Sequence, residues 1–270
     1  MEELIIQAPA KINLHLQVLD KRQDGFHDIS SLFTLIDLCD NLSFKKNKKE
    51  IELIESIPFE NNIVLKAANL IKEYCSVEEG VRIELNKNIP DQKGLGGGSS
   101  DAASTLIGLK RFWGLDISKK ELLDLALQLG SDVPFFVFGK TAWAQGRGEI
   151  LKEFEYKDRF FLLALPEIKI STKFAFNELS KLKKVAQSKS TSQTVEYYNS
   201  FEGWLRKTKP EMDNIFKELE SVGVPRLSGT GSAIFMEYEN LNEAKQAKKR
   251  FPELVLTKSL ERSPLMQIIE

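Results

Sequence analysis

N-I-P-D-Q-K-G-L-G-G-G-S-S-D-A-A, residues 88–103, joins two patterns of different period. Ahead of it Val81, Ile83 and Leu85 alternate with Arg82, Glu84 and Asn86, as in a half-buried strand. After it Ala102, Ala103, Leu106, Ile107 and Leu109 fall at helical spacing. A glycine-rich turn therefore feeds a helix N-terminus, whose free backbone N–H groups and macrodipole favour an anion such as a phosphate. Gly94, Gly96, Gly97 and Gly98 are expected to turn through positive φ and admit a ligand close to the backbone, while Ser99 and Ser100 place hydroxyls at the mouth. No Lys follows as in G-x-x-x-x-G-K-[ST], and a G-x-G-x-x-G begun at Gly94 ends on Ser99, so neither common phosphate loop applies. On the glycines alone, a flexible turn with a Ser N-cap remains the alternative.

Length and composition bound the remaining possibilities. A chain of 270 residues can bury a large core and divide in two; its 42% hydrophobic and 29% charged residues are ordinary for a globular protein. Lys plus Arg number 38 against 39 acidic residues, which gives no overall field for nucleic acid or an anionic membrane. Cys39 and Cys75 lack metal-ligand spacing and read as small hydrophobes of a reducing compartment. The opening M-E-E-L-I-I-Q has no basic and apolar leader pattern, and no apolar run is long enough to span a membrane, so a cytoplasmic protein is expected.

Strict alternation sets Ala10, Ile12, Leu14, Leu16 and Val18 against Lys11, Asn13, His15 and Gln17, a strand with one polar face. A turn at Asp20–Gly25 precedes Phe26 and His27, residues 29–44 read as one or two strands, and 45–50 as a charged hairpin tip. Asn61 or Asn62 caps a helix with Val64, Ala67, Ala68, Ile71 and Tyr74 on one stripe. The loop's own helix should stop near Gly114, and Ser118 with Glu121 forms a capping box for the next, ending at Gly130 as a C′ glycine. Asp132 follows, with Pro134 in a first helical turn; local sequence reads it equally as a plain N-cap. A strand over 160–165 leads through Pro166 into a loop reaching Phe176. Residues 181–193 read as a mobile surface insertion. A helix (211–222), the loop L-S-G-T-G-S (227–232), a strand (233–238), a helix (242–251) and a strand (255–259) complete a two-layer α+β pattern that suits an independent domain.

Three stretches, A-P-A-K-I-N-L (8–14), G-L-G-G-G-S-S-D-A-A (94–103) and L-S-G-T-G-S-A-I-F (227–235), resemble in type and order the motifs of the galactokinase, homoserine kinase, mevalonate kinase and phosphomevalonate kinase superfamily. D-G-F-H (24–27), L-G-S-D-V-P-F-F (129–136) and A-Q-G-R-G-E (144–149) look like those members whose acceptor is a methylerythritol linked to cytidine diphosphate. The resemblance implies an α+β, two-domain fold with a ribosomal-S5-like N-terminal domain (1–155) that binds ATP and a ferredoxin-like C-terminal domain (156–270) that closes the cleft. It implies transfer of the ATP γ-phosphoryl to an alcohol with Mg²⁺, a small-molecule acceptor, no nucleic acid or membrane partner, and a monomer or weak homodimer. Lys11 and Asp132 match the catalytic pair: a carboxylate within hydrogen-bond reach takes the proton of the attacking alcohol, and a neighbouring ammonium keeps it ionised.

By the same matching, Pro90, Lys93, Gly94, Leu95, Gly96, Gly97, Gly98, Ser99 and Ser100 surround the ATP phosphates, with Ser100 the candidate metal ligand. Asn13, Phe26, His27 and Phe176, with Asp132, hold the cytidine-bearing acceptor, and Gly229, Thr230 and Gly231 close the site. Gln92 and Lys93 replace small residues common in the family, Phe26 replaces a common Tyr, and Ser200 stands where Asp is usual. A homoserine or mevalonate kinase and a nucleotide-binding regulator without turnover are the rival readings. The first lacks need of a base-stacking pair; the second sits poorly with Lys11 and Asp132 both present.

Overall fold

The computed structural model describes residues 2–55, 62–181 and 196–269. Two long strands, β1 (Glu3–Lys21) and β2 (His27–Asn47), pair antiparallel along almost their whole length. The polar face expected on β1 is not solvated: Lys11, Asn13, His15 and Gln17 are all buried. Helix α2 (Gly97–Trp113) packs on β1, the segment at Asn199 runs along its edge through a parallel bridge at Leu16, and the Trp143 and Tyr198 rings flank His15.

β2 is one continuous strand that also pairs with β4 (Gly80–Asn86), and β3 (Ile51–Glu55) lies parallel to β4 on its far side. Residues 45–50 are therefore not the tip of a hairpin. Lys45 sits within β2, its ammonium 2.9 Å from Glu84 across the ladder, because β4 and not β3 occupies the neighbouring place. A hairpin of β5 (Ala142–Gln145) and β6 (Ile150–Glu153) joins β2 at Ser31–Phe33.

The second half contributes β7 (Phe160–Ala164), β8 (Arg226–Leu227), β9 (Ile234–Tyr238) and β10 (Val255–Leu260). β10 pairs with β7 and, through Ser259 and Leu260, with Ile36 and Leu35 of β2, giving the order β3-β4-β2-β10-β7-β9-β8.

Helix α1 (Ile63–Tyr74) is capped by Asn62, whose side chain accepts from the Val64 N–H, and it buries Val64, Ala67, Ala68 and Ile71. Tyr74 leaves that stripe: it is exposed and donates to Glu121 at 2.8 Å. Helix α3 (Lys119–Leu129) has the full Ser118–Glu121 capping box. Gly130, at its end, is extended (φ 168°), a conformation open to any residue, so it is not the left-handed stop expected there. Helix α4 (Val133–Phe138) follows at once. Phe176 lies on helix α5 (Thr172–Lys181) and not in a loop, because a buried stripe of Ala175 and Leu179 seats that segment. Of the stretch 181–193, residues beyond Lys181 lie outside the described residues. Besides α5, two helices were not legible in the sequence, α6 (Glu202–Thr208) and the short α9 (Met266–Ile269); α7 (Pro210–Leu219) and α8 (Leu241–Arg250) were.

The two glycine loops meet backbone to backbone. Ser228 Oγ donates to the Gly94 carbonyl at 3.1 Å, and the Ala233 N–H donates to that of Lys93 at 3.0 Å. Positive φ belongs to Gly94 (76°) and Gly96 (72°), whereas Gly97 and Gly98 open the helix with ordinary φ. A Cβ at Gly94 would overlap the Ser228 carbonyl oxygen; one at Gly98 meets nothing nearer than Ile63 at 3.9 Å. Gly94→Ala is therefore expected to destabilise the protein by about 2 kcal/mol or more. Gly98→Ala is expected to stabilise it by up to ~1 kcal/mol through helix propensity. Urea denaturation of the two variants checks the order; equal stabilities would contradict the contact.

Candidate active site

A cleft of ≈ 850 Å³ opens beside this junction, within the size range of small-molecule sites. Lys11 stands on its floor because β1 carries it there with its side chain 4% exposed. Its backbone N–H donates to the Leu95 carbonyl at 2.9 Å, which hangs the glycine loop on the strand. Its ammonium donates to Asn13 Oδ1 at 2.6 Å, lies 3.8 Å from Asp132 Oδ2, and sits 5.1 Å from the centre of the Phe33 ring. Burial lowers the Lys11 pKa, and the Asp132 charge and hydrogen bond work against that drop.

Asp132 occupies the N-cap position of α4, yet its carboxylate makes no capping hydrogen bond. The helix begins with Pro at its second residue, which has no N–H to cap, and the Asp132 side chain instead faces the cleft and Lys11, 36% exposed. Asn13 spends both ends of its amide on the protein, accepting from Lys11 and donating to Ser31 Oγ at 2.9 Å; Ser31 in turn donates to the His15 carbonyl. It thus fixes Lys11, a task the sequence did not suggest.

Pro90, Gly94, Leu95, Gly96, Gly97, Gly98 and Ser99 line one end, with the N-terminus of α2 among them. A Cβ at Gly96 would come within 2.9 Å of the Phe136 ring and 3.1 Å of Lys11 Cγ, so only glycine keeps the loop against the lysine. Ser100 is turned away: it is fully buried and donates to the Pro9 carbonyl at 2.6 Å, while Ser99 is the serine in the cleft. Lys93 borders the cleft, but its ammonium is held by the carbonyls of Pro166 and Ile168, and burial lowers its pKa. Lys87, which the sequence reading passed over, is buried between Asp40 (2.5 Å) and Asp101 (2.6 Å) at the same end. Burial opposes its charge, but the two carboxylates outweigh it and raise its pKa, whereas burial pushes Asp101 upward. Among the described residues no three His, Cys, Asp or Glu converge as a metal cage.

Phe26, His27 and Phe176 line the other end. The His27 and Phe176 rings lie 5.5 Å apart, His27 Nε2 is 2.9 Å from Ser180 Oγ, and Phe26 is 48% exposed. Gly229 and Thr230 reach the cleft, whereas Gly231 packs toward Leu205 and Leu227. Asn199 holds this second loop by donating to the carbonyls of Leu227 and Gly229, both at 2.9 Å, and Ser200 accepts from the Val18 N–H at 3.0 Å. Asn199 carried no sequence signal and Ser200 only a departure from the family pattern, since both act on backbone distant in the chain. Arg147 also lines this end, its guanidinium 4.8 Å from the Phe26 ring centre.

Residues 62–140 match the family of GHMP kinase N-terminal domains, and 192–255 match the GHMP kinase C-terminal family. The fold is shared with a homoserine kinase from Cytophaga hutchinsonii (TM-score 0.74, 18% identity, 97% of this chain and 96% of that one). The chain is thus built as a GHMP kinase. A 4-diphosphocytidyl-2-C-methyl-D-erythritol kinase of Psychromonas ingrahamii is 36% identical over 97% of this chain and 95% of that protein; one of Wigglesworthia glossinidia brevipalpis is 41% identical over 91% and 84%. A solved 4-(cytidine 5'-diphospho)-2C-methyl-D-erythritol kinase superposes with a TM-score of 0.83 at 30% identity, covering 95% of this chain and 99% of that one. Within the GHMP kinases, the chain belongs to the 4-diphosphocytidyl-2-C-methyl-D-erythritol kinase family.

Burial, and then Lys21, hold the His27 pKa below its usual 6.5; burial does the same to His15. The unfolded chain therefore binds more protons than the folded one as pH falls through 6.5, so both histidines withdraw stability on acidification and none above it. Proton NMR should give midpoints below 6.5 for both rings in the folded protein. Midpoints at or above that value would contradict the burial seen here.

Proposed function

We propose that the chain transfers the γ-phosphoryl of ATP to the 2-hydroxyl of 4-diphosphocytidyl-2-C-methyl-D-erythritol, a step of the non-mevalonate route to isoprenoid precursors, in the cytoplasm. The observation that carries this is the buried Lys11 ammonium 3.8 Å from a partly exposed Asp132 carboxylate that caps nothing, both in the cleft lined by the glycine loop. An alcohol entering there meets a base and a cation already set side by side.

Asp132 orients the hydroxyl and takes its proton as the oxygen attacks; Lys11, oriented by Asn13, stabilises the negative charge that develops on that oxygen. Gly94 to Ser99 and the N-terminus of α2 receive the triphosphate, on a loop that glycine keeps close to Lys11 and Phe136 at Gly96 and to Ile89 at Gly97. Lys93 serves this cradle indirectly, by tying the loop to residues 166–168. Among the oxygen donors that line the cleft, Ser99 and Asp132 would hold Mg²⁺ together with the phosphates, since that ion is commonly bound by few protein ligands, and it would neutralise charge on the transferring group. Residues 1–155 form the ATP-binding unit and 156–270 bring the second glycine loop and α5 across it. Phe26, His27 and Phe176 give the cytosine ring aromatic faces and a nitrogen for its edge, and stacking of this kind is worth roughly 1–3 kcal/mol per base.

A coupled ADP-release assay over alcohols with and without a cytidine diphosphate group tests the reading. Turnover confined to the cytidine-bearing acceptor is expected; preference for homoserine or mevalonate, or ATP binding without turnover, would overturn it. In the same assay Asp132→Asn is expected to lose about 10² or more in kcat with the KM for ATP little changed. An unchanged kcat would return Asp132 to a structural role.

A further inference from the structure

Five cationic side chains line the cleft, and three of them are committed to protein groups. Lys11 faces Asn13 and Asp132, Lys87 is held by two carboxylates, and Lys93 by two backbone carbonyls. Arg147 and Lys173 remain. Neither has a carboxylate partner at ion-pair distance among the described residues, and the nearby Asp24 is engaged by Arg22 and by the Phe26 N–H. Burial would raise the Asp24 pKa, and the Phe26 N–H, Arg22 and lastly Arg147 together lower it, so the guanidinium lies near this carboxylate without forming an ion pair with it.

Their placement is set by the fold on two different walls. Arg147 sits on the β5–β6 turn, which is fastened to the start of β2 by the Ile29 N–H donating to the Gly146 carbonyl at 2.8 Å and braced by the Arg147 N–H on Glu149. Its guanidinium covers the Phe26 ring. Lys173 lies in the first turn of α5, where Lys173, Phe176 and Asn177 fall at i, i+3 and i+4 and all three line the cleft. The α5 N-terminus adds its own partial positive charge beside Lys173. Each aromatic wall of the acceptor end therefore carries one cation that forms no ion pair among the described residues.

The geometry points to Arg147 and Lys173 as the residues that select a diphosphate-bearing acceptor, one from each wall of the cleft. The inference rests on the proposed acceptor and deepens it. A base-binding pocket alone takes a nucleoside as well as a nucleotide, whereas two free cations beside it favour the nucleotide, through the planar, forked guanidinium above all.

The test compares CDP and cytidine as competitive inhibitors against the acceptor, in the unaltered protein and in Arg147→Gln, Lys173→Gln and the double variant. CDP should bind more tightly than cytidine to the unaltered protein. Each single substitution should weaken CDP by roughly 10-fold, the scale of a hydrogen bond to a charged group, and leave the cytidine inhibition constant and the KM for ATP in place. Arg147→Lys should restore part of the loss. Equal weakening of CDP and cytidine would mean that the substitutions only disturb the aromatic walls, and no weakening of either would mean that the cations point past the acceptor; both overturn the inference while the proposed reaction stands. If the unaltered protein fails to phosphorylate a cytidine-diphosphate acceptor, the proposed reaction falls and this inference with it.

Discussion

A charged ammonium at 4% exposure is the constraint around which the cleft is built. Removing such a group from water is costly unless it is paired and hydrogen-bonded, and the surroundings of Lys11 answer that need in turn. Asn13 accepts from it, Ser31 holds Asn13, and the His15 carbonyl holds Ser31, so a chain of hydrogen bonds runs between β1 and β2 behind the lysine. Asp132 supplies the only carboxylate in ion-pair reach among the described residues, at 3.8 Å. That separation is long for a settled pair, and Asp132 keeps solvent access, which leaves the carboxylate oxygens open to a third group. A structural ion pair would have closed that gap.

The lysine also dictates its neighbours' sizes. Its Cγ stands 3.1 Å from where a Cβ at Gly96 would be, and its backbone N–H donates to the Leu95 carbonyl, so the glycine loop lies against the strand at that glycine. Two residues earlier, Gly94 meets Ser228 and Gly229 of the second loop at backbone contact. Lys93 and Ser232 then share the carbonyls of Pro166 and Ile168. Phosphate cradle, second loop and the segment leading to α5 are in this way one hydrogen-bonded body, and a change at either loop is felt at the other.

Much of this was legible beforehand where a local rule decides it. The strand-to-helix switch around the glycine loop, the Asn62 cap and the Ser118–Glu121 box depend on residues a few positions apart, and each appears in the structure. What failed depended on distant chain. The polar face of β1 alternates as a solvated face does, and only distant residues such as Asp132 against Lys11 and Trp143 and Tyr198 against His15 reveal it as buried. Residues 45–50 look like a hairpin tip until β4 enters between β2 and β3. The cleft shows the same division. Lys11, Asp132 and the glycines were marked by motifs, and the structure brings them together; Ser100 carries the same motif but its hydroxyl turns to Pro9. Lys87, Asn199 and Lys173 have no local mark, because their partners lie 14 or more residues away or, for Lys173, because only the helix of α5 turns it toward the cleft.

The central claim is that Asp132 and Lys11 together receive the acceptor hydroxyl. A crystal structure of the protein with a non-hydrolysable ATP analogue and 4-diphosphocytidyl-2-C-methyl-D-erythritol tests it most directly. The account predicts the acceptor 2-hydroxyl about 2.6–3.2 Å from an Asp132 carboxylate oxygen, with the terminal phosphate above the N-terminus of α2 and facing that hydroxyl. An acceptor bound with its hydroxyl out of reach of Asp132, or a triphosphate lying away from the glycine loop, would contradict it.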